Sequence, residues 1–124
     1  MICLRKLISM TLLAAAVGLL AVPKAIAHAR PRVMVPAADS TVPAPGTISV
    51  TFSEPVEAKF SSLSVTAARG KTKLNTASST PSPNDSKTLN LALPPLKPGP
   101  YLVHWVSVAT DGHRMEGEYQ FTVK

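Results

Sequence analysis

A chain of 124 residues favours one small domain, and 45% of its residues are hydrophobic. Its net charge is +6, with 13 lysines and arginines against seven acidic residues. The basic residues are scattered and form no dense stripe with interleaved aromatics, so nucleic acid is not an expected partner. The single cysteine, Cys3, lies close to the amino terminus, so we expect neither a disulfide nor a thiolate ligand in the folded domain.

The first 27 residues contain the three parts of a secretory signal peptide in their usual order. Arg5 and Lys6 precede an apolar segment, residues 7–22, which is too short and wrongly flanked to span a membrane. An Ala-Ile-Ala cleavage site follows, so we predict a helical signal peptide over residues 1–27 and a mature periplasmic domain over 28–124. Three basic residues and no acidic ones would leave with the signal, which lowers the net charge to +3. An uncleaved anchor or a buried helix is the alternative.

In the remaining chain, apolar and polar residues alternate along short segments, which is the period of a β-strand. The first such segment, residues 47–52, sends Ile48, Val50 and Phe52 to one face. Later alternating segments contain Leu63 and Val65; Leu89, Leu91 and Leu93; Tyr101, Val103 and Trp105; and Tyr119, Phe121 and Val123. The segment that contains Trp105 is apolar on both faces, so we expect it to lie centrally in a sheet.

Turn-forming residues separate these segments, and prolines are too frequent for long helices. The polar, proline-rich stretch 78–86 is expected to be a mobile loop. Short strands at regular spacing, with turn signals between them, predict an all-β sandwich, and residues 96–101 look like the approach to a late strand of an immunoglobulin-like fold.

Signal cleavage would make His28 the new amino terminus. Its α-amine and ring Nδ1 would then close a chelate ring on a metal ion, because an α-amine with a pKa near about 8 releases its proton to a metal at neutral pH. Copper(II) prefers a tetragonal set of nitrogen and oxygen ligands and stands high in the divalent affinity order. An ordinary polar residue left by the signal peptidase is the alternative, and His28 alone does not decide between the two.

A second imidazole and a carboxylate lie two residues apart in Asp111-Gly112-His113, between two predicted strands. Gly112 relaxes the backbone, so Asp111 and His113 can point to one side. A simple turn with Asp-Gly at its tip is the alternative, and the two interpretations are compatible. Glu54 follows the strand at 47–52 and is a candidate weak ligand, or an acceptor for the α-amine or a histidine ring, unless it is only a solvated glutamate. His104 lies in mid-strand, so we expect it to be packed, hydrogen-bonded and distant from the Asp111–His113 loop.

Taken in order, several segments resemble the CopC family of periplasmic copper-resistance proteins. They are His28-Ala29 after Ala-Ile-Ala, then residues 36–40, 50–56, 96–101, 103–107, 111–113 and 117–123. The resemblance implies a Greek-key β-barrel or sandwich with a copper(II) site at one end. It implies that His28 supplies its amine and ring nitrogen. It also implies a second imidazole from His113, a carboxylate oxygen from Asp111, and an acidic residue, Glu54, beside the metal.

The resemblance further implies a protein that captures, buffers or delivers copper, with a CopD-type inner-membrane protein as its partner. Some family members carry a methionine-rich loop for copper(I), whose soft character suits thioether ligands. Here only Met34 and Met115 follow residue 27, and residues 67–79 contain no methionine. We therefore predict one copper(II) ion per chain, no high-affinity copper(I) site, and a monomer that meets the membrane only through its partner.

Two other classes stay open. An amino-terminal copper-binding histidine also resembles the site of copper-dependent polysaccharide oxygenases, which need a substrate-binding surface. All six aromatics lie in or next to predicted strands and are expected in the core, which favours a binding protein over an enzyme: Phe52, Phe60, Tyr101, Trp105, Tyr119 and Phe121. Oxygen consumption with copper and a reductant distinguishes these two classes. The third class is an immunoglobulin-like interaction domain without metal, which a copper titration tests.

Overall fold

Two four-stranded β-sheets make up the computed structural model, which describes residues 28–70 and 72–124. The strands are β1 Pro31–Val35, β2 Thr41–Val42, β3 Thr47–Phe52, β4 Ser62–Ala67, β5 Thr80–Ser82, β6 Asp85–Ala92, β7 Gly99–Val108 and β8 Arg114–Val123. One sheet has the order β1-β3-β6-β5 and the other β2-β8-β7-β4. The predicted all-β, immunoglobulin-like sandwich is confirmed. Within the described residues no helix is long and apolar enough to cross a membrane. The predicted signal peptide, residues 1–27, lies outside them, and its cleavage stays a prediction.

The core lies between the two sheets, where strand alternation directs the apolar side chains. Ile48 and Val50 of β3 are fully buried, and so is Phe121 of β8. The ring of Phe52 meets the ring of Trp105 edge-on, with centroids 6.0 Å apart, so the two sheets contact each other directly through aromatic side chains.

The long strand β7 lies inside its sheet, between β8 and β4, as its two apolar faces predict. It pairs with β8 over ten residues, from Gly99 opposite Val123 to Val108 opposite Arg114. At its start the Tyr101 hydroxyl donates a hydrogen bond to the backbone carbonyl oxygen of Lys97, four residues upstream. Such a bond at a late strand is typical of immunoglobulin-like sandwiches.

The outer edge of β4 is covered by side chains of the segment that follows it. Ser79 Oγ accepts a hydrogen bond from the Leu63 N–H at 3.0 Å, and Asn75 Oδ1 accepts one from the Val65 N–H at 3.0 Å. These two polar side chains therefore satisfy backbone donors that no neighbouring strand reaches.

Two of the predictions about the strands and the core are wrong. Residues 78–86 are not a loop, because Thr80–Ser82 form the edge strand β5 and Asp85 begins β6. The Asp85 carboxylate accepts hydrogen bonds from the Thr88 hydroxyl and the Lys87 N–H, which order the start of β6 and hold the pKa of Asp85 below its usual value. Phe60 is not in the core, since 67% of it is exposed. It precedes β4 in a turn, closed by its N–H to the Glu57 carbonyl oxygen, and so escapes the alternation that buries strand residues.

A substitution at Gly117 tests how closely β8 packs against Trp105 of β7. It lies opposite Trp105, and a Cβ at this position would approach Cζ2 of the indole to 2.7 Å. We expect Gly117→Ala to lower the free energy of unfolding by about 1–3 kcal/mol, because the buried ring has to shift. Chemical denaturation measures the change. Gly46→Ala is the matched control, since among the described residues no atom beyond its two chain neighbours would lie within 4 Å of its Cβ. Equal stability of the two variants would contradict the packing described here.

Candidate metal site

The segment ahead of β1 is held by side chains from both sheets. Ser53, which follows β3, donates its hydroxyl to the carbonyl oxygen of His28 at 2.9 Å and accepts a hydrogen bond from the Arg30 N–H at 3.0 Å. Ser107 of β7 donates its hydroxyl to the carbonyl oxygen of Ala29 at 2.6 Å. Ala29 and Ser107 are both 0% exposed. The fold itself therefore fixes where His28 lies.

The turn between β7 and β8 brings His113 to the same end of the sandwich. The Gly112 N–H donates to the Ala109 carbonyl oxygen at 2.9 Å, and the Ala109 N–H donates to the His113 carbonyl oxygen at 2.9 Å. Gly112 has a φ of +87°, a backbone conformation that favours glycine. The Asp-Gly turn is thus present, and the same turn places the His113 ring beside His28.

The two imidazole rings lie close together. Their centroids are 5.5 Å apart, and the ring planes are tilted by 51°. Metal–imidazole bonds are about 2.0–2.1 Å long, so rings on one metal ion would have centroids about 4.5 Å apart at a right angle and about 6.4 Å apart in line. The observed separation lies between these limits. His28 Nδ1 is buried and has no hydrogen-bond partner among the described residues, which is unusual for a buried polar atom. This arrangement fits a metal ion held between the two rings.

Asp111 orients the ring of His113. Its Oδ2 lies 2.9 Å from His113 Nδ1, and its Oδ1 accepts a hydrogen bond from the His113 N–H at 3.1 Å. Both hydrogen bonds hold the pKa of Asp111 below its usual value, and the one to the His113 ring contributes more than the one to the backbone N–H. The group is therefore a carboxylate at neutral pH. Because a carboxylate only accepts hydrogen bonds, Nδ1 carries the proton and Nε2 keeps its lone pair for a metal.

The structure does not bring every predicted site residue together. In residues 28–70 and 72–124, no group of three or more His, Cys, Asp or Glu side chains is arranged to hold a metal ion. Glu54 is exposed next to Ser53, and nothing in that part of the chain joins its carboxylate to the histidine pair. The remaining predicted donor is the α-amine of His28, which is not a side chain and which cleavage would create.

His104 differs from its prediction in one respect. It lies in mid-strand, away from the Asp111–His113 turn, as expected, but its side chain is 41% exposed and is not packed in the core. Its Nε2 lies 3.5 Å from Glu116 Oε2, which also accepts a hydrogen bond from Arg114 at 3.1 Å. His104 is therefore a member of a surface charge cluster on the face of β7 opposite the core.

Sequence reasoning missed Ser53 and Ser107, which position the segment ahead of β1. Ser107 carried a usable signal, because it shares the inward face of β7 with Trp105, and a hydroxyl on a core-facing position needs a partner. Ser53 carried none, since a serine at the end of a strand is common.

Comparison with known proteins gives consistent matches. The model of the CopC domain family matches residues 32–124. The chain is 36% identical over 106 residues to copper resistance protein C of Escherichia coli, covering 81% of this chain and 84% of that protein. Protein YobA of Escherichia coli K12 is 38% identical over 107 residues, covering 85% of this chain and 86% of that protein.

Two solved structures are similar over most of the chain. CopC from Methylosinus trichosporium OB3b superposes with a TM-score of 0.72 at 31% identity, covering 78% of this chain and 94% of that one. PcoC, a methionine-rich copper resistance protein from Escherichia coli, superposes with a TM-score of 0.67 at 36% identity, covering 79% of this chain and 100% of that one.

The hydrogen bond between Asp111 and His113 predicts the tautomer of the ring. In the neutral state, nitrogen NMR shifts should show the proton of His113 on Nδ1. Asp111→Ala removes the acceptor, so we expect the proton to move to Nε2 in a large share of molecules, since Nε2–H is the tautomer that an unconstrained neutral histidine side chain prefers. The ring of His104 is the internal control and should not change. A His113 ring with the same tautomer in both proteins would contradict the orienting role of Asp111.

Proposed function

This chain belongs to the CopC family of copper resistance proteins, and we propose that it binds one copper(II) ion in the periplasm and buffers or delivers it. The observation that supports this most directly is the pairing of His28 with His113, in which a buried Nδ1 has no partner among the described residues. Buried polar atoms are almost always paired, so this nitrogen fits a ligand position.

In this proposal the copper(II) ion is bound mainly by nitrogen. His28 gives Nδ1 and, after cleavage, its α-amine; His113 gives Nε2. Asp111 keeps that nitrogen directed at the ion through its bond to Nδ1, which lies on the opposite edge of the ring. To supply the proposed carboxylate oxygen as well, the Asp111 side chain has to turn away from Nδ1 when copper binds. Such a set of three nitrogens and one oxygen suits the tetragonal preference of copper(II). Glu54 is proposed as an acidic residue near the ion. Its exposed position favours a role as a hydrogen-bond acceptor for the α-amine or a histidine ring over a role as a direct ligand.

The proposed role is capture and transfer, without redox chemistry by this protein. Five of the six aromatics are buried in the core, and only Phe60 is strongly exposed, which argues against an aromatic platform for a polysaccharide. We propose a monomer that passes copper to a CopD-type inner-membrane protein. The predicted signal peptide over residues 1–27 supports export to the compartment where this exchange would occur.

Titration of the mature protein, residues 28–124, with copper(II) tests the site. We expect one ion per chain in the wild type. Two variants test the ligands: His28→Ala, and a protein with one extra residue ahead of His28. Loss of a residue that only supports a ligand lowers metal affinity by about 10- to 100-fold. We expect a larger loss of copper(II) affinity in both variants, because each loses a nitrogen that binds the ion directly. His104→Ala is the control and should bind like the wild type. Unchanged affinity in both test variants would overturn the proposal.

Titration with copper(I) under anaerobic conditions tests the predicted selectivity. Met34 and Met115 are both partly buried and packed against the core cluster, and they lie on different strands, β1 and β8, so they form no methionine-rich loop. We expect no tight copper(I) complex, since soft sulfur ligands are what this ion prefers. A tight complex that is lost when both methionines are replaced by leucine would contradict the copper(II)-only prediction.

A further inference from the structure

We propose that Ser53 and Ser107 form a clamp that holds the first two residues of the mature chain and thereby sets the copper(II) affinity of the site. The inference rests on the proposed function and deepens it. Neither serine is a ligand in this proposal; both are positioning residues that act through the backbone of His28 and Ala29.

The clamp acts from both sheets at once. Ser53 follows β3 in one sheet and binds the carbonyl oxygen of His28, whereas Ser107 belongs to β7 in the other sheet and binds the carbonyl oxygen of Ala29. Two consecutive carbonyl groups are therefore fixed from opposite sides. Ser53 adds a third and a fourth bond, because its Oγ accepts from the Arg30 N–H at 3.0 Å and its own N–H donates to the Arg30 carbonyl oxygen at 2.8 Å.

Burial makes one half of the clamp hard to replace. Ser107 and Ala29 are both fully buried, and Ala29 belongs to the hydrophobic core cluster. A buried carbonyl group without a partner is costly, and Ser107 supplies that partner. The methyl group of Ala29 fills core space at the same point, so the second residue of the mature chain is anchored through both its side chain and its backbone.

The consequence for copper is preorganisation. The first residues of a domain are usually poorly ordered, and ordering them when a ligand binds reduces affinity. Every partner in the clamp is a protein atom, so the fold orders His28 without help from copper. Both nitrogens that His28 would contribute belong to the residue whose carbonyl Ser53 holds, so loosening Ser53 would let them move away from His113.

The test uses Ser53→Ala in the mature protein, with Ser53→Thr as the variant that keeps the hydroxyl. Ser49→Ala is the matched control, since Ser49 lies on β3, the strand that Ser53 follows, and is half-buried. Copper(II) affinity is measured by competition with a chelator. Hydrogen exchange of the Ala29 and Arg30 amides is measured without copper, so the clamp is observed independently of metal binding.

We expect Ser53→Ala to weaken copper(II) binding by about 2- to 10-fold, which corresponds to the loss of an ordinary hydrogen bond. Exchange at Ala29 and Arg30 should quicken, and Ser53→Thr should restore both properties. If the Ser107→Ala protein folds, we expect it to lose more copper(II) affinity than Ser53→Ala. If it does not fold, the Ser53 variants alone decide whether the clamp sets the affinity.

Two results would overturn the clamp, and they are distinguishable from failure of the proposed function. Wild-type affinity in Ser53→Ala would show that the clamp does not set affinity, while copper binding itself stands. An equal loss in Ser49→Ala would show that any weakening of β3 has this effect. A wild-type protein that binds no copper(II) would overturn the proposed function itself, and with it the role of the clamp.

Discussion

The arrangement at the end of the sandwich depends on two serine hydroxyls that satisfy consecutive backbone carbonyl groups. The segment ahead of β1 enters the space between the sheets, where unpaired peptide groups are costly. Ser107 meets that cost from within β7, and Ser53 meets it from the end of β3. With this segment docked, the ring of His28 lies beside the ring of His113, which the turn between β7 and β8 brings to the same end of the sandwich.

The alternation of apolar and polar residues predicted most of the strands, since a sandwich buries every second residue of its central strands. It succeeded for β3, where Ile48 and Val50 are fully buried, and failed for β1, where Val33 and Val35 are more than half exposed. An edge strand with apolar residues on its outer face carries no period-two signal toward the core. β5 was missed because it lies in a polar stretch, where backbone pairing with β6, and not hydrophobicity, orders the chain.

Candidate ligands could be named from the sequence, but their positions relative to one another could not. A histidine at a predicted cleavage point and an Asp-Gly-His turn indicate candidate ligand types, and only the three-dimensional structure relates His28 to His113 across 85 positions of sequence. The environment of His104 was mispredicted because β7 is apolar on both faces, and the sequence does not say which face the second sheet covers. Family membership narrows the metal to copper, and the scarcity of methionine after residue 27 separates this chain from the methionine-rich relative it resembles.

The covered edge of β4 bears on the behaviour of the protein at high concentration. An open strand edge is a template on which a second molecule can extend the sheet. By occupying the N–H groups of Leu63 and Val65, Ser79 and Asn75 remove the docking points for such polymerisation. These two short polar side chains thus leave two donors of an edge strand already paired within the molecule, so they are not free to pair with a strand of a second copy.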